Sequence, residues 1–173
     1  RLTGTKEGCA EGDCGACTVV LGTLAAPGDA GAVRGLSLQT VNACIQFLPT
    51  LDGKALLGVE DLKAISPAGA LHPAQQAMVD CHGSQCGFCT PGIVVRAAWM
   101  IERGRVGPVD LDRALAAHLC RCTGWLSVRD AITQAAEPGA AGTSHAPRDL
   151  DAASRRAGLE GGVGQRVAPD VPL

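Results

Sequence analysis

Across 173 residues the chain carries a formal charge of −2, nine cysteines and only 2% aromatic residues. No basic stripe suits nucleic acid or a membrane surface, and no apolar run approaches the ~20 residues of a membrane span. So few aromatics exclude a large aromatic core, and a thin core in a chain this short calls for stabilisation by metal or disulfides.

The chain opens RLTGTKEG, without an initiator methionine, an apolar signal core or a cleavage site. It reads as a fragment or a mis-called gene start. Without an export signal the expected setting is cytoplasmic and reducing, where disulfides are rare. Nine is also an odd number for a complete disulfide framework. The thiols are therefore expected to hold metal.

The first element is the loop EGCAEGDCGACTV, residues 7–19, which spaces Cys9, Cys14 and Cys17 as C-x4-C-x2-C, with Cys44 following at a distance. That is the spacing of a plant-type [2Fe–2S] ferredoxin. Four thiolates on two irons make an anionic group, and a glycine-rich loop can turn its N–H groups toward the sulfurs. Zinc sites favour paired C-x2-C knuckles and fit this loop poorly. Lys6, Glu7, Glu11 and Asp13 read as a solvated rim. The run TVVL (18–21) then predicts a strand before a Gly-Thr turn, and residues 24–35 a flexible excursion. LSLQTVNACIQFL and KALLGVEDL supply further short β-type runs. Residues 1–63 form a small mixed domain on this reading.

From residue 71 the pattern turns helical, and 64–137 reads as a second domain. Apolar stripes at helical spacing run through Ala74, Ala77, Met78 and Cys81; through Ile93, Ala97 and Ile101 with Val94 and Ala98; through Leu111, Leu115 and Leu119; and through Val128, Ile132 and Ala136. Thr90 and Asp110 are the expected helix caps. Four short amphipathic helices predict a bundle. Cys86 and Cys89 form C-x2-C, and Cys120 and Cys122 form C-x-C, each pair at the start of a predicted helix. Two helix N-termini facing one another would favour a second anionic cluster, although zinc is a rival for these pairs taken alone. Cys81 reads as a small core hydrophobe, His72 as a helix-entry residue, and Trp99 and Trp125 as packing. His82 and His118 are not needed as ligands beside eight well-spaced cysteines. Arg121, between two of those cysteines, either tunes a cluster or points to a partner or solvent. Residues 138–173, including His145, read as a linker or disordered tail.

In this order, TGTKEGCAEGDCGACTV, SQCGFCTPG and LCRCTG resemble the iron–sulfur portion of the molybdenum hydroxylases, the xanthine oxidase family, over about residues 3–137. VNACIQFLPTLDGKAL and LHPAQQAMVDCHGSQCGFCTPG are most similar to the small subunits of bacterial xanthine dehydrogenases within it. The resemblance implies an α+β fold, a β-grasp ferredoxin domain followed by a four-helix [2Fe–2S]-binding domain. It implies that Cys9, Cys14, Cys17 and Cys44 hold the cluster nearer flavin, and Cys86, Cys89, Cys120 and Cys122 the one nearer molybdenum. Gln85, otherwise a polar loop residue, matches a glutamine that contacts the pterin. No residue is assigned to substrate catalysis. The implied partners are a molybdenum-cofactor-binding large subunit and a FAD-binding domain or subunit, with electrons passing from molybdenum through two [2Fe–2S] clusters towards FAD.

The chain departs from the family pattern in four places. The β-hairpin before the first loop is absent, which truncates the expected sheet. The 24–35 excursion is long. Thr123-Gly124-Trp125-Leu126-Ser127 stands where Thr-Gly-Tyr-Arg-Pro is usual. The segment after residue 137 is not a FAD domain. The alternatives are a related aldehyde or carbon monoxide dehydrogenase component, a zinc-stabilised interaction module without redox chemistry, and the remnant of a broken gene.

Overall fold

The apolar run after the cysteine loop forms the central strand of a three-stranded antiparallel sheet. In the computed structural model, which describes residues 2–66, 69–104 and 107–137, this strand is β1 (Thr18–Leu24). Thr18, Val19, Val20 and Leu21 are all buried, so both faces of the strand are covered. β2 (Leu36–Asn42) pairs along its whole length, from Thr18 opposite Asn42 to Leu24 opposite Leu36. β3 (Ala55–Leu57) pairs on the other edge, giving the order β2-β1-β3. β1 runs three residues beyond TVVL, through the Gly-Thr pair expected to turn. A Cβ at Gly22 would lie 3.1 Å from Leu36 and 3.2 Å from Leu38, so the glycine lets two leucines of β2 cross a strand that simply continues.

A 3₁₀ turn over Ala43–Ile45 carries Cys44, and another over Val59–Ala64 leads out of the sheet. The expected division between residues 63 and 64 falls inside that second turn, where Leu62 is buried in the helical core. Glu60, in the same turn, reaches back to accept the N–H groups of Thr3 and Gly4 at 2.9 and 2.7 Å. These bonds draw its carboxyl below the usual range.

Four helices follow: α1 (Pro73–Asp80), α2 (Thr90–Glu102), α3 (Pro108–Leu115) and α4 (Leu126–Ala135). α1 packs on α4 and α2, α3 packs on α4, and α2 lies against β1 and β2. The stripes meet as their spacing predicts, with Ala77, Met78, Ile93, Ala97, Leu111, Val128 and Ile132 buried in one core. Truncating a side chain such as Ile93 there would cost roughly 2–5 kcal/mol. His72 enters α1 as expected. Its Nδ1 accepts from the Ala74 N–H at 3.2 Å, and its own N–H donates to Gln75 Oε1 at 3.1 Å.

The helix starts differ from expectation. α2 is preceded by Cys89 as its cap residue, with Thr90 already helical. α3 begins at Pro108 after Gly107, which puts Asp110 in the first turn, where its charge suits the helix dipole. Leu119 leaves its stripe because α3 ends at Leu115, and its side chain is 61% exposed. The tail expected over 138–173, with His145, lies outside the described residues. Among the described residues no helix is long and apolar enough to cross a membrane.

Candidate metal centres

Eight of the nine cysteines lie in loops, or the 3₁₀ turn, that the fold brings together in two sets. Cys9 is in side-chain contact with Cys14, and Cys44 with Cys17; Cys44 also feels the charge of Cys9. In the second set Cys86 meets Cys122 and Cys89 meets Cys120, with Cys120 close enough to influence Cys86 and Cys122. Cys81 stands apart. It is half-buried on the helical core and donates its S–H to Gln134 Oε1 at 3.1 Å, and burial raises its thiol pKa. None of the nine cysteines forms a disulfide. Among the described residues no three histidine, cysteine or carboxylate side chains converge as they would around one metal ion. The thiols meet in twos.

The first loop surrounds its sulfurs with backbone donors. The N–H groups of Asp13 and Cys14 both point at Cys9 Sγ at 3.4 Å, and Cys44 N–H points at Cys17 Sγ at 3.5 Å. Backbone hydrogen bonds, first from Glu11, then from Cys14 and Asp13, bring the Cys9 thiol down to about 6. At Cys9 the loop therefore favours thiolate, the form that binds metal, whereas Cys44 is raised, first by its side-chain contact with Cys17 and then by burial. The rim expected around it is exposed at Glu7, Glu11 and Asp13 and half-buried at Lys6.

The second set is mixed. Cys86 is lowered, first by a backbone bond at Phe88 and then by Cys122. Cys120 is lowered overall: burial acts most strongly and opposes this, but is outweighed by the Thr123 hydroxyl 3.2 Å away and by neighbouring N–H groups. Burial pushes Cys89, at the start of α2, up to about 12. A thiol so placed would give up its proton to a metal rather than to water. Gln85 and Arg121 are exposed beside these cysteines. Trp125, just past them, takes a left-handed backbone (φ +71°) that starts α4, and packs on the core.

The two sets are held close by contacts that spacing could not reveal. Gly15, in the first loop, has φ +69°, and a Cβ on it would run into the His118 ring at 2.6 Å. A Cβ on Gly92, in the first turn of α2, would collide with the Gly15 carbonyl. Both glycines are required by this approach of backbone to backbone. The Leu119 N–H donates to the Cys14 carbonyl at 3.0 Å. Beside it the Thr18 hydroxyl donates to the Gly15 carbonyl at 2.7 Å and lies 3.2 Å from Nε2 of the buried His118. His118, set aside as a ligand candidate, belongs to this seam. Trp99 serves there too, donating from Nε1 to the Leu38 carbonyl at 3.2 Å.

Residues 58–133 match the family model described as a [2Fe-2S] binding domain, a span that includes Cys86, Cys89, Cys120 and Cys122. The chain is 43% identical over 126 residues to xanthine dehydrogenase of Drosophila pseudoobscura pseudoobscura, covering 72% of this chain and 9% of that protein. It is 39% identical over 132 residues to human aldehyde oxidase, covering 76% of this chain and 9% of that protein. The chain thus spans about a tenth of the length of these relatives. Among solved structures it resembles quinoline 2-oxidoreductase from Pseudomonas putida 86, with TM-score 0.61 and 29% identity over 83% of this chain and 78% of that one. The chain contains a [2Fe–2S]-binding domain homologous to the iron–sulfur regions of these oxidoreductases.

Proposed function

We propose that this chain is the electron-relay component of a xanthine dehydrogenase-like molybdenum hydroxylase, and that it carries two [2Fe–2S] clusters. Cys9, Cys14, Cys17 and Cys44 would hold one, in a β-grasp domain over 1–63. Cys86, Cys89, Cys120 and Cys122 would hold the other, in a four-helix domain over 64–137. The observation that carries this reading is the pairing of thiols within each set, Cys9 with Cys14 and Cys17 with Cys44, then Cys86 with Cys122 and Cys89 with Cys120. A binuclear cluster takes two thiolates on each iron, whereas a zinc site gathers four donors on one ion.

The clusters supply one-electron chemistry when bound. The protein supplies the rest. The N–H groups of Asp13, Cys14 and Cys44 aim at sulfur and favour the charged forms. The Gly15–Gly92 approach and the Leu119–Cys14 bond keep the two loops at a fixed separation. Gln85, exposed beside Cys86, would meet a molybdenum–pterin centre on a partner. FAD would lie in another domain or subunit and receive electrons by way of the Cys9 loop. Substrate oxidation then belongs to the partner. Xanthine dehydrogenase and aldehyde oxidase match at 43% and 39% identity and quinoline 2-oxidoreductase at 29%, so substrate choice would lie with the partner. A reducing, cytoplasmic setting suits eight ligand thiols.

Iron and acid-labile sulfide per chain, with EPR of the dithionite-reduced protein, test the reading. About four irons and two distinct [2Fe–2S] signals are the expected result. Zinc, or a single signal from wild-type protein, would overturn the two-cluster relay.

A further inference from the structure

Phe88 belongs by sequence to the second set of cysteines and by contact to the first. It stands between Cys86 and Cys89. Its backbone serves its own loop, where a hydrogen bond at Phe88 is the strongest influence lowering Cys86. Gly87, with φ +81°, turns the chain immediately before it. The ring leaves that loop. A Cβ built on Gly8, next to Cys9, would lie 3.2 Å from Phe88 Cε1 and 3.1 Å from Cys14 Sγ. Ring edge and sulfur therefore flank one glycine, no further apart than those two distances together. Gly8 is outside the left-handed region, so what it supplies there is room.

Cys14 is thus met twice by residues next to the other set's cysteines. The N–H of Leu119, one residue before Cys120, bonds its carbonyl, and the Phe88 ring stands beside its sulfur. Elsewhere in the first set, Cys9 and Cys17 receive backbone N–H donors at sulfur. An aromatic ring has no such donor to give, and what it brings is apolar surface. Phe88 is 46% exposed and lies outside the helical core that its neighbour Cys89 joins. Packing of the helices therefore does not account for the position of this ring. One part of it faces outward, and another part rests against Gly8 beside Cys14.

We infer that the Phe88 ring covers the Cys14 corner of the cluster held by Cys9, Cys14, Cys17 and Cys44, a cover lent by the loop of the other cluster. The inference rests on the two-cluster reading. The apolar shell around a metal site controls how far water reaches it, and with that its lability and potential. An oxidised [2Fe–2S] cluster with its thiolates is a dianion, and one-electron reduction makes it a trianion. Water admitted at Cys14 would therefore favour the reduced form. The result is a crossed dependence: a side chain between Cys86 and Cys89 protects the cluster that those cysteines do not bind. A ring that only packed within its own loop would act on its own cluster.

The test follows the full chain as wild type, F88A and F88L during anaerobic incubation with EDTA, with EPR of dithionite-reduced samples and the two signals assigned by the Cys14→Ser variant. In F88A the first-loop signal should decay roughly tenfold faster than in wild type, while the second keeps its wild-type rate. F88L, which restores part of the apolar cover, should fall between the two. In a redox titration the first-loop cluster of F88A should be easier to reduce than that of wild type. Faster decay of the second signal alone, equal acceleration of both, or no change overturns the inference. So does a first-loop potential that stays or falls. If F88A fails to assemble its clusters, F88L carries the test: faster decay of the first-loop signal alone is expected, and an unchanged rate overturns the inference. Wild-type protein lacking the two signals would instead sink the relay reading itself.

Discussion

The backbone N–H of Leu119 donates to the carbonyl oxygen of Cys14 at 3.0 Å. One residue before Cys120 is thereby bonded to a cysteine of the other set. The link runs through main chain alone, so no side-chain pattern announces it. It is a bonded bridge between the two loops, and so a path open to the proposed relay. Leu119→Ala keeps the donor, and the side chain it removes is 61% exposed, so stability should stay within about 0.5 kcal/mol of wild type. Leu119→Pro deletes the donor and should cost about 1 kcal/mol or more. With both clusters assembled, freeze-quenched EPR after partial reduction should show the electron redistributing more slowly in the proline variant only. Equal rates in the two variants would take this bond out of the route.

The ligand assignment predicts selective loss. Cys14→Ser should lower iron from about four to about two per chain and remove one reduced-state EPR signal, while Cys120→Ser should remove the other. Cys81→Ser should remove neither, because Cys81 bonds Gln134 away from both sets. Loss of both signals from either ligand variant would mean that the two sets assemble as one unit.

What the sequence shows and what it hides divide along a physical line. Ala77, Ile93, Val128 and Ile132 repeat at helical spacing because each helix must bury one face, so α1, α2 and α4 could be placed from the pattern. The local runs C-x4-C-x2-C, C-x2-C and C-x-C were legible because short spacings keep neighbours together, whereas the contacts of Cys17 with Cys44, Cys86 with Cys122 and Cys89 with Cys120 come from the fold. The seam was not legible. Gly15 and Gly92 are 77 positions apart, and only the folded chain reveals that Gly92 clears space for the Gly15 carbonyl while Gly15 clears space for Ala117 and His118. Arg96 is a single charge in the apolar run of α2; its bond to Thr40 and its unpartnered Nε emerge only from the packing of α2 on β2. Helix ends were misjudged where a proline or a main-chain bond decided them, as at Pro108 and Leu119.

The glycine approach makes a sharp prediction. In Gly92→Ala the new methyl meets the Gly15 carbonyl, and neither backbone can yield without moving the cysteine loop. Overpacking of this kind costs about 1–3 kcal/mol. The urea midpoint should fall, and the EPR signal of the Cys9-loop cluster should broaden or vanish before the other changes. Gly107→Ala is the comparison: its φ is −65° and the nearest atom to a new Cβ, Asp110 Oδ2, is 3.5 Å away. As the N-cap of α3 it should lose only about 0.5–1 kcal/mol and leave both EPR signals unchanged. Equal destabilisation of the two variants would show that α2 has room at Gly92.

His72 predicts a pH dependence whose sign can be worked out. It is 1% exposed, and its Nε2 lies 3.3 Å from Glu102 Oε1. Burial lowers its pKa below the usual 6.5, and Glu102 offsets this only in part. In the unfolded chain the imidazole regains its ordinary affinity for a proton, so below pH 6.5 the unfolded state binds more protons than the folded one. Stability is therefore full above that pH and is lost progressively as pH falls through the depressed folded value. The other buried histidine, His118, is lowered for the same reason and acts with the same sign. His72→Gln removes one of the two titrating groups but keeps a polar cap for α1. Its urea midpoint should fall less between pH 8 and pH 5 than that of wild type, with His118 supplying the remaining slope. A variant that matches the wild-type slope would show that His72 takes up its proton without strain in the folded state.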